Sequence, residues 1–215
     1  MTKVKICGIT NLEDALHARQ LGADFIGIAV EIEKAERSLG RKEAKEIFEH
    51  AKGPVPIVVL TSHQKANEIA RLCHYLEAEA VQLVGKIPSK EIVKLHRQMP
   101  GLKIMKVVRT KNKAALEEAL LFQRFADFIV LDSASGKKLG GTGKKADWEL
   151  CKKIVEKCRC PVFLAGGLKP ENVADAIKEV RPFGVDVSSG VKMQDNRKKI
   201  DFEKLKCFIE RAKKA

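Results

Sequence analysis

Short apolar runs of strand length recur along the chain at 4–9 (VKICGI), 24–30 (DFIGIAV), 56–61 (PIVVLT), 80–84 (AVQLV), 103–108 (KIMKVV), 127–132 (DFIVLD), 161–166 (PVFLAG) and 184–189 (GVDVSS). Between and after them lie stretches such as 42–51 (KEAKEIFEHA), 65–76 (KANEIARLCHYL) and 202–213 (FEKLKCFIERAK), with apolar residues at helical spacing. Strands that alternate with amphipathic helices pair in parallel through right-handed crossovers. Eight such units in 215 residues is the count of a closed (β/α)8 barrel. An open doubly wound sheet shares the alternation but carries G-x-G-x-x-G after its first strand, where this chain reads CGITN. No linker or shift in composition divides the chain. The pattern therefore predicts an α/β protein with one domain over 1–215, a single TIM barrel.

In VKICGI, Val4 and Ile6 turn to one face, and Lys5 and Cys7 to the other. Gly8 ends the strand, and Asn11 is placed to cap the helix that begins at Leu12. Two roles suit a cysteine at this exit: a buried thiol packed as a small hydrophobe, or a functional group on the face that carries a barrel's chemistry. Asp132 ends the apolar run FIVL and belongs to the same face. An unpaired carboxylate is costly in a core, so a functional role is expected for it.

Three glycine-bearing turns follow the last strands: LGGTGK at 139–144, AGGLKPENV at 165–173 and DVSSGV at 186–191. Glycine lets backbone approach a ligand, and the loops after strands seven and eight form the usual phosphate site of a barrel. Gly166, Gly167, Ser188, Ser189 and Gly190 are the phosphate-binding candidates. LGGTGK is not a nucleotide P-loop, because Lys138 stands where its first glycine belongs and Lys145 where Ser or Thr belongs. A glycine-rich flap over the barrel mouth is expected there.

Composition narrows the partners. No apolar run approaches the roughly 20 residues that a membrane helix requires, and the first strand begins without a charged-then-apolar leader, so a cytoplasmic protein with no membrane partner is expected. The six cysteines are scattered, and the single close pair, Cys158 and Cys160, has a one-residue gap that zinc sites rarely use; no metal is expected. The net charge of +13 is spread along helices without the aromatic-and-basic motif of an RNA-binding sheet. It reads as a solvated basic surface, with no nucleic acid implied.

KICGIT at 5–10, LD at 131–132, GGTGK at 140–144, AGGL at 165–168, PENV at 170–173 and DVSSGV at 186–191 together resemble phosphoribosylanthranilate isomerase, in the order that family shows them. The likeness extends through the helices over nearly the whole chain. It implies an Amadori rearrangement of N-(5′-phosphoribosyl)anthranilate, an aminoaldose, into the aminoketose 1-(2-carboxyphenylamino)-1-deoxyribulose 5-phosphate, a step of tryptophan synthesis that needs no cofactor. The resemblance makes Cys7 the general base and Asp132 the general acid, and gives substrate contacts to Arg37, Gln82, Gly141 and Asp186. It implies a small phosphosugar as the ligand and a monomer or homodimer as the assembly. Arg37 is also the cation expected beside Cys7, since a thiolate is the competent base.

Three positions depart from the family pattern. VEIEKAERSL replaces an aromatic-rich segment in the second loop, Val84 stands where the family has histidine, and Lys192 stands where it commonly has glutamate. These departures leave room for a related phosphosugar-binding enzyme with another substrate, or for a basic non-catalytic binding protein on the same barrel. An imine-forming aldolase would need a lysine on an inner strand, for which Lys106 is the candidate. A metal-dependent epimerase would need inward histidines, whereas all five fall on helices or their starts. A retired barrel would be expected to lose Cys7 or Asp132, and both are kept.

Overall fold

The structure is a computed structural model that describes residues 1–33, 35–132 and 147–215. The chain runs β1 (Lys3–Cys7), α1 (Leu12–Gln20), β2 (Phe25–Val30), β3 (Ser38–Leu39), α2 (Arg41–His50), β4 (Ile57–Thr61), α3 (Ala66–Leu76), β5 (Ala80–Leu83) and α4 (Ser89–Gln98). It continues with β6 (Lys103–Arg109), α5 (Ala114–Phe122), β7 (Phe128–Asp132), α6 (Trp148–Lys157), β8 (Val162–Leu164), α7 (Val173–Val180), β9 (Gly184–Val187) and α8 (Phe202–Lys214). A short 3-10 helix covers Ser189–Val191.

All named strands pair in parallel, in the order β1-β9-β8-β7-β6-β5-β4-β2, and β1 pairs with β2 to close an eight-stranded ring. The two-residue β3 only extends β2 at its outer end. The barrel predicted from the alternation is therefore the fold. Asn11 caps α1 as expected, its Oδ1 accepting from Asp14 N at 2.8 Å. No described helix is long and apolar enough to cross a membrane.

The alternation of side chains divides the apolar residues between two cores. Val4, Ile6, Ile26, Ile28 and Val59 point outward and pack beneath the helices, while Cys7, Val58, Leu60, Met105, Val107, Val130 and Phe163 fill the barrel. At the N-terminal ends of the strands, Phe163 meets the rings of Phe25, Phe128 and Phe183 at centroid distances of 5.5, 5.9 and 5.6 Å. This aromatic plug closes one end, so the opening lies where the strands finish.

Candidate active site

A cavity of about 650 Å³ opens at the C-terminal ends of the strands. Cys7, Arg37, Gln82, Asp132, Asp186, Gly166, Gly167, Ser188 and Ser189 all line it. Residues separated by most of the chain thus meet in one mouth, as the barrel reading expected. Gly141 and the 139–144 turn lie outside the described residues.

Cys7 ends β1 with its side chain inside the ring, where it is 8% exposed. Lys5, two residues earlier, shares that inner face and is completely buried. Its ammonium donates to both carboxylate oxygens of Asp186 at 3.1 Å, across a β1–β9 register that sets the two residues side by side. Its charge also draws the Cys7 thiol down. Room for this arrangement comes from Gly27 on β2: a Cβ there would lie 3.0 Å from Lys5 Nζ and 3.1 Å from Cys7 Sγ.

Charges of both signs act on Cys7 from several sides. Burial pushes the Cys7 thiol up; Lys5 pulls it down, Asp186 pushes it up, and Arg37 pulls it down. Burial works against the charge on Lys5 as well, yet Asp186 and Cys7 outweigh it and hold the ammonium above its ordinary value. Burial lifts Asp186, against the pull of Lys5.

Arg37 comes from the segment between β2 and β3 and lies over Gly8, whose φ of +72° and lack of a side chain admit it. A Cβ on Gly8 would stand 2.9 Å from both Arg37 Nε and Ser188 Oγ. Arg37 Nη1 is buried with no hydrogen-bond partner among the described residues, and the same holds for Gln82 Oε1 on β5. A guanidinium nitrogen and an amide oxygen left in this state suit a polar ligand, since buried polar atoms are ordinarily paired. Burial draws Arg37 down from the usual arginine value; Cys7 opposes that, and Arg197 adds to it.

The phosphate candidates divide by position. Gly166 and Gly167 turn with φ of 90° and 67°, and their N–H groups have no acceptor among the described residues. Asn172 clamps this turn: Nδ2 donates to Gly167 O at 3.0 Å and Oδ1 accepts from Lys169 N at 2.9 Å. α7 then begins at Val173, directly after Asn172. Ser188 Oγ donates to Cys7 O at 3.0 Å, which ties the second turn to the end of β1. Gly190 does not line the cavity. A Cβ on it would fall 2.0 Å from Leu168 O, so it is where the two turns press backbone to backbone.

Asp132 ends β7, in register with Arg109 of β6, and lines the mouth half-buried. In the ring, β9 and β8 stand between β1 and β7, so Cys7 and Asp132 approach the cavity from different sides. Val84, after β5, contributes an apolar wall.

Lys192 is turned inward and is 4% exposed. Its ammonium donates to Gly8 O at 2.9 Å and faces Asp14 Oδ2 at 3.9 Å. Asp14 also accepts from Ile200 N at 3.2 Å, and Thr10 Oγ1 donates to Lys198 O at 2.8 Å. These contacts fasten the 192–200 segment to the β1–α1 turn, and that segment carries Arg197 to the mouth.

One expectation needs correction. Lys106 was the candidate inner-strand lysine, but it alternates with the inward Met105 and Val107 and points to the helix layer. There it pairs with Glu118 at 3.7 Å and lies 4.9 Å from the Phe122 ring centroid. The inward lysine is Lys5, and it is fully buried and bound by a carboxylate, a poor state for an imine-forming amine. The signal for Lys5 lay in the strand alternation, which put it on the face of Cys7.

The family model for N-(5′-phosphoribosyl)anthranilate (PRA) isomerase matches residues 4–211. The N-(5′-phosphoribosyl)anthranilate isomerase of Aquifex aeolicus is 39% identical over 217 residues, covering 99% of each chain. The crystal structure of phosphoribosyl anthranilate isomerase from Thermotoga maritima superposes with a TM-score of 0.88 at 36% identity over the whole of both chains. A phosphoribosyl anthranilate isomerase in complex with reduced 1-(o-carboxyphenylamino)-1-deoxyribulose 5-phosphate gives a TM-score of 0.84 at 35% identity, again over both whole chains. With the barrel, the order of its motifs and these full-length matches in agreement, the chain belongs to the phosphoribosylanthranilate isomerase family.

Proposed function

We infer that this chain converts N-(5′-phosphoribosyl)anthranilate into its aminoketose with Cys7 as base and Asp132 as acid. The reaction moves protons and one electron pair within a single molecule. Asp132 protonates the ribose ring oxygen as the C1′–O bond breaks, and the anthranilate nitrogen supplies the electrons that form the iminium. The Cys7 thiolate then removes the C2′ proton, and the C–H electrons neutralise the iminium to give an enolamine. Tautomerisation of the enol places the carbonyl at C2′ and a proton on C1′. Two groups that reach the substrate from different sides suit this sequence, because donor and acceptor act on different atoms in turn.

Recognition follows the two anionic ends of the substrate. The Gly166–Gly167 and Ser188–Ser189 turns take the phosphate through backbone N–H groups, as adjoining βα loops of barrels do. Arg37 takes the anthranilate carboxylate, with Val84 and Ala35 as apolar walls and Gln82 reaching a polar group between the two ends. Asp186 acts through Lys5 as well as facing the cavity. We assign this activity to one barrel domain over 1–215, working on a small phosphosugar in the cytoplasm as a monomer or homodimer.

The observation that carries this reading is that Cys7, Asp132, Arg37 and the two glycine–serine turns all open into one 650 Å³ cavity. The test is complementation of a tryptophan auxotroph that lacks the isomerase, paired with loss of substrate fluorescence on adding the purified protein. Growth without tryptophan and loss of fluorescence are expected. Failure of both with a folded protein would overturn the assignment and favour a binding protein or another phosphosugar substrate.

A further inference from the structure

Inside the barrel the only buried charges set next to Cys7 from the strands are Lys5 and Asp186, among the described residues. A lysine at this depth is unusual, because removing an ammonium from water is costly unless it is paired. The pairing explains why it can stay there, with two contacts of 3.1 Å to Asp186, but not why the pair lies against the thiol. Packing alone would be met by an apolar side chain, as at Val58, Met105 and Val130 in the same interior. Gly27 gives up its side chain where Lys5 Nζ and Cys7 Sγ converge, so the strand beside β1 is shaped around this contact.

We propose that Lys5 is a positioning residue for the base: its ammonium, locked by Asp186, converges with Cys7 Sγ on the space left by Gly27, holds the sulfur toward the mouth and balances the thiolate as it forms. The assignment rests on Cys7 acting as the base. Lys5 itself does not touch the substrate, being completely buried beneath Cys7. The proton that Cys7 gains from C2′ leaves a neutral thiol beside an intact Lys5–Asp186 pair, so the pair ends each turnover as it began. Burial is the largest influence opposing the thiolate, and Lys5 is the first charge that offsets it. Four charged groups face Cys7: Lys5 from β1, Asp186 from β9, Arg37 from the β2–β3 segment and Lys192 from the segment after the 3-10 helix. Of these, Lys5 is the one whose ammonium meets the sulfur at the space left by Gly27.

The experiment titrates Cys7 in the free, full-length protein by thiolate ultraviolet absorbance, taking the difference between each variant and the same variant carrying Cys7→Ser. Lys5→Met should move the Cys7 titration to higher pH by about 1 unit or more, the scale of a lost opposite charge within contact. Its kcat at neutral pH should fall by at least about 10-fold and recover as pH rises toward the new titration, while KM stays within about 3-fold. Lys5→Arg should stay closer to the parent than Lys5→Met. Lys5→Met leaves Asp186 buried without its partner, so the double variant Lys5→Met/Asp186→Asn provides a charge-free interior if the single variant fails to fold. It should move Cys7 in the same direction by less, because a group that opposes the thiolate leaves together with Lys5.

A Cys7 titration that stays at the parent value in the folded variants would overturn the proposal, as would a kcat loss that pH does not restore. The reading of Cys7 fails separately. If Cys7→Ser keeps its turnover, the base assignment falls, whatever Lys5→Met does to the titration.

Discussion

Lys192 Nζ donates to the carbonyl oxygen of Gly8 at 2.9 Å, directly beyond Cys7, and its nearest carboxylate is Asp14 at 3.9 Å. A position where the family commonly has glutamate thus holds a buried cation that props the base loop. Burial lowers this lysine to about 8; Asp14 and Cys7 resist the drop, and Arg37 adds to it.

A pH dependence of stability follows. Between about pH 8 and 10.5 the unfolded chain holds a proton on Lys192 that the folded chain has lost. The contribution of Lys192 to stability therefore rises with pH across that window, and below it the cost of burying the charge is fully present. Linkage puts the rise at roughly 3 kcal/mol. Denaturant unfolding of the parent and Lys192→Met from pH 7 to 10.5 should show the parent gaining on the variant through the window. Parallel curves would mean that Lys192 does not titrate there.

Gly27 makes the second case. A methyl at this position would crowd Lys5 Nζ, Cys7 Sγ and Leu60 Cδ1, at 3.0, 3.1 and 3.1 Å. Gly27→Ala should cost about 1–3 kcal/mol of stability, as overpacking does, and lower kcat about 10-fold by displacing the sulfur. Unfolding curves and steady-state kinetics check this. An unchanged kcat would show that the sulfur can shift without penalty.

At the anthranilate end, Arg37 and Val84 play unequal parts. A charge-assisted hydrogen bond to guanidinium is stronger than a neutral one, so Arg37→Ala should raise KM by at least about 10-fold. Val84→His, which restores the family's residue, should change KM only modestly in either direction. If Arg37→Ala binds substrate like the parent, the carboxylate is held elsewhere, and Arg109 and Arg197 are the other arginines that line the mouth among the described residues.

Much of this site was readable before the structure. Strand alternation and the rule that barrel chemistry collects at strand ends were enough to place Cys7 and Asp132 in one mouth. Lys5 escaped because lysine ordinarily belongs to the surface, and the carboxylate that allows its burial lies 181 residues away. Lys106 lies inside an apolar strand, but the period that turns Met105 and Val107 inward turns it out to the helix layer. Gly27 carries no sequence signal, since its importance lies in what its neighbours need. The irregular segments behaved likewise: no periodicity announces that 192–200 folds back to bring Arg197 to the mouth, or that Asn172 clamps the Gly166–Gly167 turn.

The phosphate turn predicts competition by simple anions. Inorganic phosphate or sulfate should inhibit competitively and bind at Gly166, Gly167, Ser188 and Ser189, where N–H groups collect at the mouth. Inhibition kinetics and a crystal soaked in sulfate test it. An anion bound elsewhere in the mouth, with this turn empty, would contradict the assignment.

The central claim is that Cys7 and Asp132 divide the proton transfers. Steady-state kinetics of Cys7→Ser and Asp132→Asn, followed by substrate fluorescence, test it most directly. Each variant should lose at least about 10²-fold in kcat, the scale of a positioned acid or base, with KM changed far less. Near-parental turnover in either variant would remove that residue from its role and contradict the mechanism.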